Sequence, residues 1–297
     1  MRLLWLLLPC VYAYPSWFHD YVNEYDKQYT NLDSMYHHLK PKMDSIAYTK
    51  DLALKLHAFS DKIYKKNKHM NRTKSFIKDH TRHHLGLPLE FDWRTKGYVG
   101  PVVRQGDCGG CFSIAAIGNL EYWYKKKTGS FLSLSAQQAM DCTYGCEGGL
   151  MEDVYKYAQT HAIGPASWDP YRKHDARCKI RYRNPFIKVK KYMVVSDEYN
   201  MHVENKLAHH ILSYGPIPVG IDSSSHQFEL YSSGIIKEHH CGKDIDHAVL
   251  VVGFTRDYWI VKNSWGPSWG ENGYFRIERF KNACGIDSYA SFVTEIN

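Results

Sequence analysis

Residues 105–113 read Gln105-Gly106-Asp107-Cys108-Gly109-Gly110-Cys111-Phe112-Ser113, with two cysteines three positions apart. Such a pair could hold a metal, cycle as a redox dithiol, or divide into one structural and one reactive sulfur. The residues downstream bear on the choice. Cys111 to Lys127 has a helical pattern between the turn-prone GDCGG and Gly129, and Lys125, Lys126 and Lys127 suit the negative end of a helix dipole. Cys111 therefore stands at a helix start, where the dipole and the amide groups of the first turn stabilise a thiolate. Cys108, on the turn before it, does not share that place.

The compartment decides how the sulfurs are counted. Arg2 precedes the apolar run LLWLLLP, and Val11-Tyr12-Ala13 closes it with small residues, which predicts a secretory signal peptide over 1–13. The run is too short to cross a bilayer, and no later apolar stretch is long enough to do so. In an exported chain disulfides persist. With Cys10 leaving in the leader, seven cysteines remain, at 108, 111, 142, 146, 178, 241 and 284. An odd number predicts three bridges and one retained thiol, and arithmetic alone leaves open which one.

Composition sets the class. A chain of 297 residues, 44% hydrophobic and 23% charged, can bury a sizeable core, which excludes a disordered or repeat protein. The net charge of +7 is unevenly spread: residues 1–86 hold 14 Lys/Arg against 8 Asp/Glu, and residues 87–297 hold 24 against 23. The basic stretch Lys62 to His84 reads as a solvated connector, and no nucleic-acid partner is expected. It contains the sequon Asn71-Arg72-Thr73, with Asn71 as the candidate glycosylation site.

Residues from Tyr14 to about Asp61 are polar and helical in pattern, with Tyr21, Tyr25 and Tyr29 on one face and Pro41 interrupting. The main boundary falls near residue 86. Beyond it helices come first, including Met151 to Thr160, and after about residue 185 the pattern turns to strands: PIPVGID, HAVLVVGF, YWIVKNS, YFRIERF and ASFVTEI. This predicts an α+β fold of two packed subdomains, helical and strand-rich, with a cleft between them as the natural site.

A thiolate nucleophile calls for an imidazole beside it. His247 opens an apolar strand 136 residues after Cys111, and Asn263, 16 residues further on, could orient its ring. By themselves a histidine at a strand end and an asparagine in a turn are ordinary. The pairs His209/His210 and His239/His240 read as surface residues, and Trp269 as core.

The stretch Cys108-Gly109-Gly110-Cys111-Phe112 resembles the active-site signature of the papain family of cysteine proteases, to which the cathepsins belong. That signature is C-G-[SA]-C-[WY], with His and Asn about 130 to 150 residues on. The match departs at Gly110 and Phe112. The likeness continues through Asp92-Trp93-Arg94, Asp141-Cys142, Gly145-Cys146-Glu147-Gly148-Gly149, Asn263-Ser264-Trp265-Gly266, Trp269-Gly270, Gly273-Tyr274 and Cys284-Gly285-Ile286.

The resemblance implies a papain-like two-subdomain fold and assigns roles. Cys111 would be the nucleophile, His247 the base and later acid, Asn263 its orienting group and Trp265 a shield over that pair. Gln105 would join the Cys111 amide in the oxyanion hole. The implied bridges are Cys108–Cys146, Cys142–Cys178 and Cys241–Cys284, which leave Cys111. Substrate would lie along Gly148, Gly149, Asp246 and Trp265. The pocket for the second residue before the cut would be walled by Leu150, Met151, Gly220, Ile245 and Ala248, with Tyr289 at its floor, favouring a hydrophobic side chain.

The 32 residues from Cys146 to Cys178 leave no room for an occluding loop, so an endopeptidase is expected. Residues 14–86 would be a propeptide, inhibitor-like over about 17–61, and 87–297 the mature monomeric domain. Partners implied are polypeptide substrates, the propeptide and cystatin-type inhibitors, with no cofactor and no metal. A zinc site from Cys108, Cys111, Cys142 and Cys146 conflicts with export and the odd count, and a redox dithiol lacks its βαβ setting. A papain-fold relative that binds without cutting is the alternative; here all four catalytic positions are filled.

Overall fold

A computed structural model describes residues 87–178, 186–195 and 201–297, without the side chains of 201–205. The chain divides into two units, Met1–Asp61 and Lys62–Asn297. The leader, the inhibitor-like segment, the basic connector and Asn71 lie outside the described residues.

In chain order the elements are β1 (Phe91–Asp92), α1 (Cys111–Thr128), α2 (Ala136–Asp141), α3 (Met151–Thr160), β2 (Val189–Val195), α4 (Met201–Tyr214), β3 (Ile217–Ile221), α5 (His226–Glu229), β4 (Ile235–Ile236), β5 (His247–Phe254), β6 (Tyr258–Lys262), β7 (Tyr274–Glu278) and β8 (Ala290–Ile296). The helical part precedes the strand-rich part, giving the α+β arrangement expected from the sequence. The sheet runs β2-β8-β3-β5-β6-β7-β4, with β1 pairing β5. Every pairing is antiparallel except β4 with β7. Among the described residues no helix is long and apolar enough to cross a membrane.

Helix α1 is the central pillar. Every residue from Cys111 to Tyr122 except Ile114 is buried, so the helix is enclosed on all sides rather than amphipathic. It ends where Gly129, at φ 78°, returns its amide to the Lys125 carbonyl, with the lysines in the last turn. Gly118 lets α1 meet β5, since a Cβ there would lie 2.6 Å from Leu250 Cδ2.

Buried polar ties join the two parts. Asn119 Nδ2 donates to the Pro216 carbonyl at 2.9 Å while its Oδ1 accepts from Val293 N–H at 2.9 Å. Trp123 Nε1 donates to the Val293 carbonyl at 3.0 Å. A buried amide satisfied at both ends fixes the relative placement of the elements it bridges.

Two readings change. The segment after residue 185 is not all strand: α4 interrupts it, carrying Leu207, Ile211 and Tyr214 at helical spacing. His210 is not a surface residue. It is 3% exposed and its ring lies tilted against Tyr214 at 5.8 Å and Phe292 at 4.9 Å, because α4 lays that face against β8.

Candidate active site

The turn before α1 is pinned to the segment at 146–149. Cys108 is bonded to Cys146, and Gly109 N–H donates to the Cys146 carbonyl at 3.0 Å. Cys142–Cys178 and Cys241–Cys284 are the other bridges, and Cys111 keeps its thiol. Asp175 approaches the Cys108–Cys146 pair, with its Oδ1 accepting from the Cys146 amide. Both sulfurs there are already joined, so that trio is a disulfide beside a capping carboxylate. Gly149 lies against Phe112, where a Cβ would be 2.9 Å from the ring, and Phe112 is wholly buried. The aromatic after Cys111 thus seats the Gly149 backbone alongside the start of α1.

Cys111 and His247 come to the same end of the molecule. Tyr122 of α1 packs on Trp93, 4.9 Å between rings, and Trp93 N–H donates to the Val252 carbonyl of β5 at 3.0 Å. With Gly118 on Leu250, successive turns of α1 therefore follow β5 in the same direction. Gly118 lies about 10 Å along the helix from Cys111, and Leu250 about 10 Å along the strand from His247. The equal advance returns both starting residues to one level, and Cys111 and Ala248 belong to one buried cluster.

His247 is fully buried, and its Nε2 lies 2.8 Å from Asn263 Oδ1. The same Oδ1 accepts the Ser264 backbone N–H at 2.8 Å. A backbone amide can only donate, so Oδ1 is the oxygen, and in neutral His247 the hydrogen must sit on Nε2. Nδ1 is then the ring's acceptor. The Trp265 ring stacks on His247 at 5.3 Å and 29°, and is itself 1% exposed. Burial pushes the His247 imidazole down to about 4, with the Asn263 hydrogen bond pulling the other way. In this environment the ring is neutral near pH 6.

Gln105 is held from three directions. Its backbone N–H donates to the Ser264 carbonyl at 2.8 Å, its Oε1 accepts the Ser264 hydroxyl at 2.5 Å, and its Nε2 donates to the Cys108 carbonyl at 3.0 Å. The Cys108 carbonyl can only accept, so it fixes Nε2 as the nitrogen facing the α1 start. Cys111 N–H is the first amide of α1, at the end where helix amides point outward, while Ser113 N–H already donates to the Gly110 carbonyl at 3.1 Å. Donors from Gln105 and from the helix start thus share one place.

Tyr171 was not singled out by the sequence, yet it stands at the centre of this turn. Its hydroxyl donates to the Gln105 carbonyl at 3.3 Å and fills the space a Cβ at Gly110 would need, 2.5 Å away, with Met140 Sδ at 2.8 Å. Burial pushes the Tyr171 phenol up, and the nearby Cys111 adds to this. The departure at Gly110 therefore has a steric counterpart.

The predicted pocket residues also converge. Met151, Ala248 and Tyr289 lie in the buried cluster of Cys111, with Leu150 and Ile245 packed against it. Gly220 pairs with Ala248 across β3 and β5, and its N–H donates to the Tyr289 carbonyl at 2.9 Å. Asp246 faces elsewhere: its Oδ1 accepts the Ser223 amide at 2.8 Å and hydroxyl at 3.0 Å, closing the turn after β3. Ser264 and Glu152, which bonds Tyr289, are further residues sequence reading passed over; adjacency to Asn263 and to Met151 was the available signal.

Residues 87–294 match the papain family of cysteine proteases, and the chain belongs to that family. Mouse cathepsin K is 42% identical over 216 residues, 69% of this chain and 64% of that protein. The chain spans slightly less than two thirds of the length of several curated relatives, 62%, 65% and 64% for maize cysteine proteinase 1, bovine cathepsin S and mouse cathepsin K. A Carica candamarcensis cysteine protease solved in complex with E-64 superposes with a TM-score of 0.65 at 35% identity, covering 70% of this chain and 99% of that one. Digestive procathepsin L 3 of Tenebrio molitor gives 0.79 at 27% identity, covering 94% and 98%.

Proposed function

We propose that the chain is a cysteine endopeptidase that cleaves polypeptides through Cys111 and His247. The observation that carries this is the Ser264–Asn263–His247 chain of hydrogen bonds, which puts the acceptor nitrogen of the ring opposite the side held by Asn263. His247 Nδ1 takes the proton from Cys111 Sγ, and the thiolate attacks the scissile carbonyl carbon. Gln105 Nε2–H and Cys111 N–H receive the oxyanion. His247 then gives its proton to the leaving amine, leaving an acyl-enzyme. A water activated by His247 attacks the acyl carbon, releasing the acid and restoring the thiol.

The buried ring, held neutral, is not the ion pair of a working enzyme. Admitting water removes the desolvation that lowers its pKa, and a thiolate beside it raises the pKa further. Residues 14–86 are read as a propeptide that governs this step, supported by the likeness to a procathepsin over 94% of the chain. The leader over 1–13 and relatives named as cathepsins support a secretory route ending in the lysosome or outside the cell. Polypeptides and cystatin-type inhibitors are the partners, Asn71 is the glycosylated residue, and the walls Leu150, Met151, Gly220, Ile245 and Ala248 favour a hydrophobic residue two before the cut. Within the family, the Cys108-Gly109-Gly110-Cys111 turn, Ala136 and Gly234 to Cys241 are similar to cathepsin O-like members.

The test uses E-64, the compound in complex with the Carica protease. The acid-activated chain is expected to take it up at Cys111, with labelling lost in His247→Ala. Correctly folded, processed protein that cleaves no peptide and takes no label would overturn the proposal.

A further inference from the structure

Helix α3 buries a carboxylate that the chemistry above does not employ. At the helix start Asp153 accepts the Leu150 amide at 3.1 Å, while the Glu152 carboxylate turns inward and accepts from its own backbone amide. Lys156, one turn on, reaches Asp153 rather than Glu152. Glu152 is nevertheless only 6% exposed, and its carboxylate accepts the hydroxyl of Tyr289, itself 3% exposed. Burying a carboxylate without a cation is costly unless hydrogen bonds satisfy it. Burial pushes both Glu152 and the Tyr289 phenol up, so the phenol keeps its hydrogen for this contact at acid and neutral pH.

The contact spans the two halves of the molecule. The Tyr289 backbone is anchored on the strand side, where its carbonyl accepts Gly220 N–H and the next residue, Ala290, pairs with Val219. Its hydroxyl is anchored on the helix side, next to Met151. A ring fixed at both ends cannot swing aside, whereas a tyrosine at the bottom of an apolar pocket without a partner could rotate away to admit a longer side chain.

We propose that Glu152 is a positioning residue for substrate selection: by tethering Tyr289 it fixes the depth of the pocket for the second residue before the cut, so that the pocket takes a branched aliphatic side chain and rejects an aromatic one. This rests on the pocket reading above and decides between the two hydrophobic classes that reading allows. A pocket of fixed depth discriminates by roughly 10- to 200-fold for a group's worth of extra bulk.

The test compares kcat/KM for two peptides differing only in Leu or Phe at that position, using the full chain activated at acid pH. Tyr289→Phe, which removes only the hydroxyl, and Glu152→Ala are each expected to lower the Leu-to-Phe ratio roughly tenfold. Glu152→Gln, whose amide oxygen still accepts the hydroxyl, is expected to keep it. Damage to folding lowers both rates and cancels in the ratio. If Tyr289→Phe and Glu152→Ala leave the ratio unchanged while Tyr289→Ala alters it, the tether is refuted and the pocket stands. If Tyr289→Ala also leaves it unchanged, the pocket reading itself fails and the tether with it.

Discussion

Replacing Gly110 by alanine restores a residue of the family signature, and in this chain it should weaken the fold. Gly110 has φ −79° and ψ 10°, which any L-residue adopts, so backbone strain contributes nothing and the cost is steric. The new methyl would lie 2.5 Å from the Tyr171 hydroxyl oxygen and 2.8 Å from Met140 Sδ. Forcing a methyl into a packed site costs about 1–3 kcal/mol. Met140 is flexible and can give way, but Tyr171 can move only by breaking its 3.3 Å bond to the Gln105 carbonyl, a further loss of about 1 kcal/mol. Gly110→Ala alone should therefore cost about 2–4 kcal/mol, at about 2–4 °C of melting temperature per kcal/mol. In a Tyr171→Phe background the clashing oxygen is gone and the nearest ring atom is Cζ at 3.4 Å, an ordinary contact. There the same substitution should cost about 1 kcal/mol or less, giving a coupling of at least about 1 kcal/mol in the double-mutant cycle. Thermal and urea unfolding of the four proteins measure it. Strictly additive effects would show that Tyr171 does not hold that space.

Two further outcomes follow from the site. His247 binds its proton in the unfolded chain below about 6.5 but in the buried fold only below about 4. Between those values the unfolded state holds more protons, so His247 lowers stability as pH falls through this window, by up to about 3 kcal/mol at its foot. Comparing urea unfolding of the chain and of His247→Gln at pH 7 and pH 4 reads the difference, and an unchanged gap between the two proteins would refute it. At the proposed oxyanion donor, Gln105→Ala should lower kcat by about 10²- to 10³-fold with little change in KM. Ser264→Ala, which leaves the Gln105 amide held by Cys108 alone, should cost less and in the same parameter. A loss confined to KM would place Gln105 in substrate binding instead.

What sequence reasoning reached and what it missed divide along a physical line. The continuous apolar run HAVLVVGF, the alternation of YFRIERF, the turn before Cys111 and the closing Gly129 are local signals, and the elements they predict appear with nearly the same limits. The α4 segment failed because its apolar residues share a stretch with polar ones among strands, and it takes the burial of Leu207 and Ile211 and the contact of His210 with Phe292 to reveal which face is inward. Cys111, His247 and Asn263 could be proposed from the sequence because thiol–imidazole chemistry asks for particular residue types, and the structure leaves Cys111 outside the disulfides and sets His247 against Asn263. Partners chosen by packing carry no such mark: Ser264 meets Gln105 across 159 positions and Tyr289 meets Glu152 across 137. Phe112 and Gly110, both departures from the signature, show why a motif should be read together with its neighbours in space. Phe112 has Gly149 beneath it and Gly110 has Tyr171 above it, so each altered residue fits a surface supplied from elsewhere in the chain. A departure matched by such a complement preserves the geometry that the motif serves, and the test for a damaged site is whether the complement is missing, not whether the letter has changed.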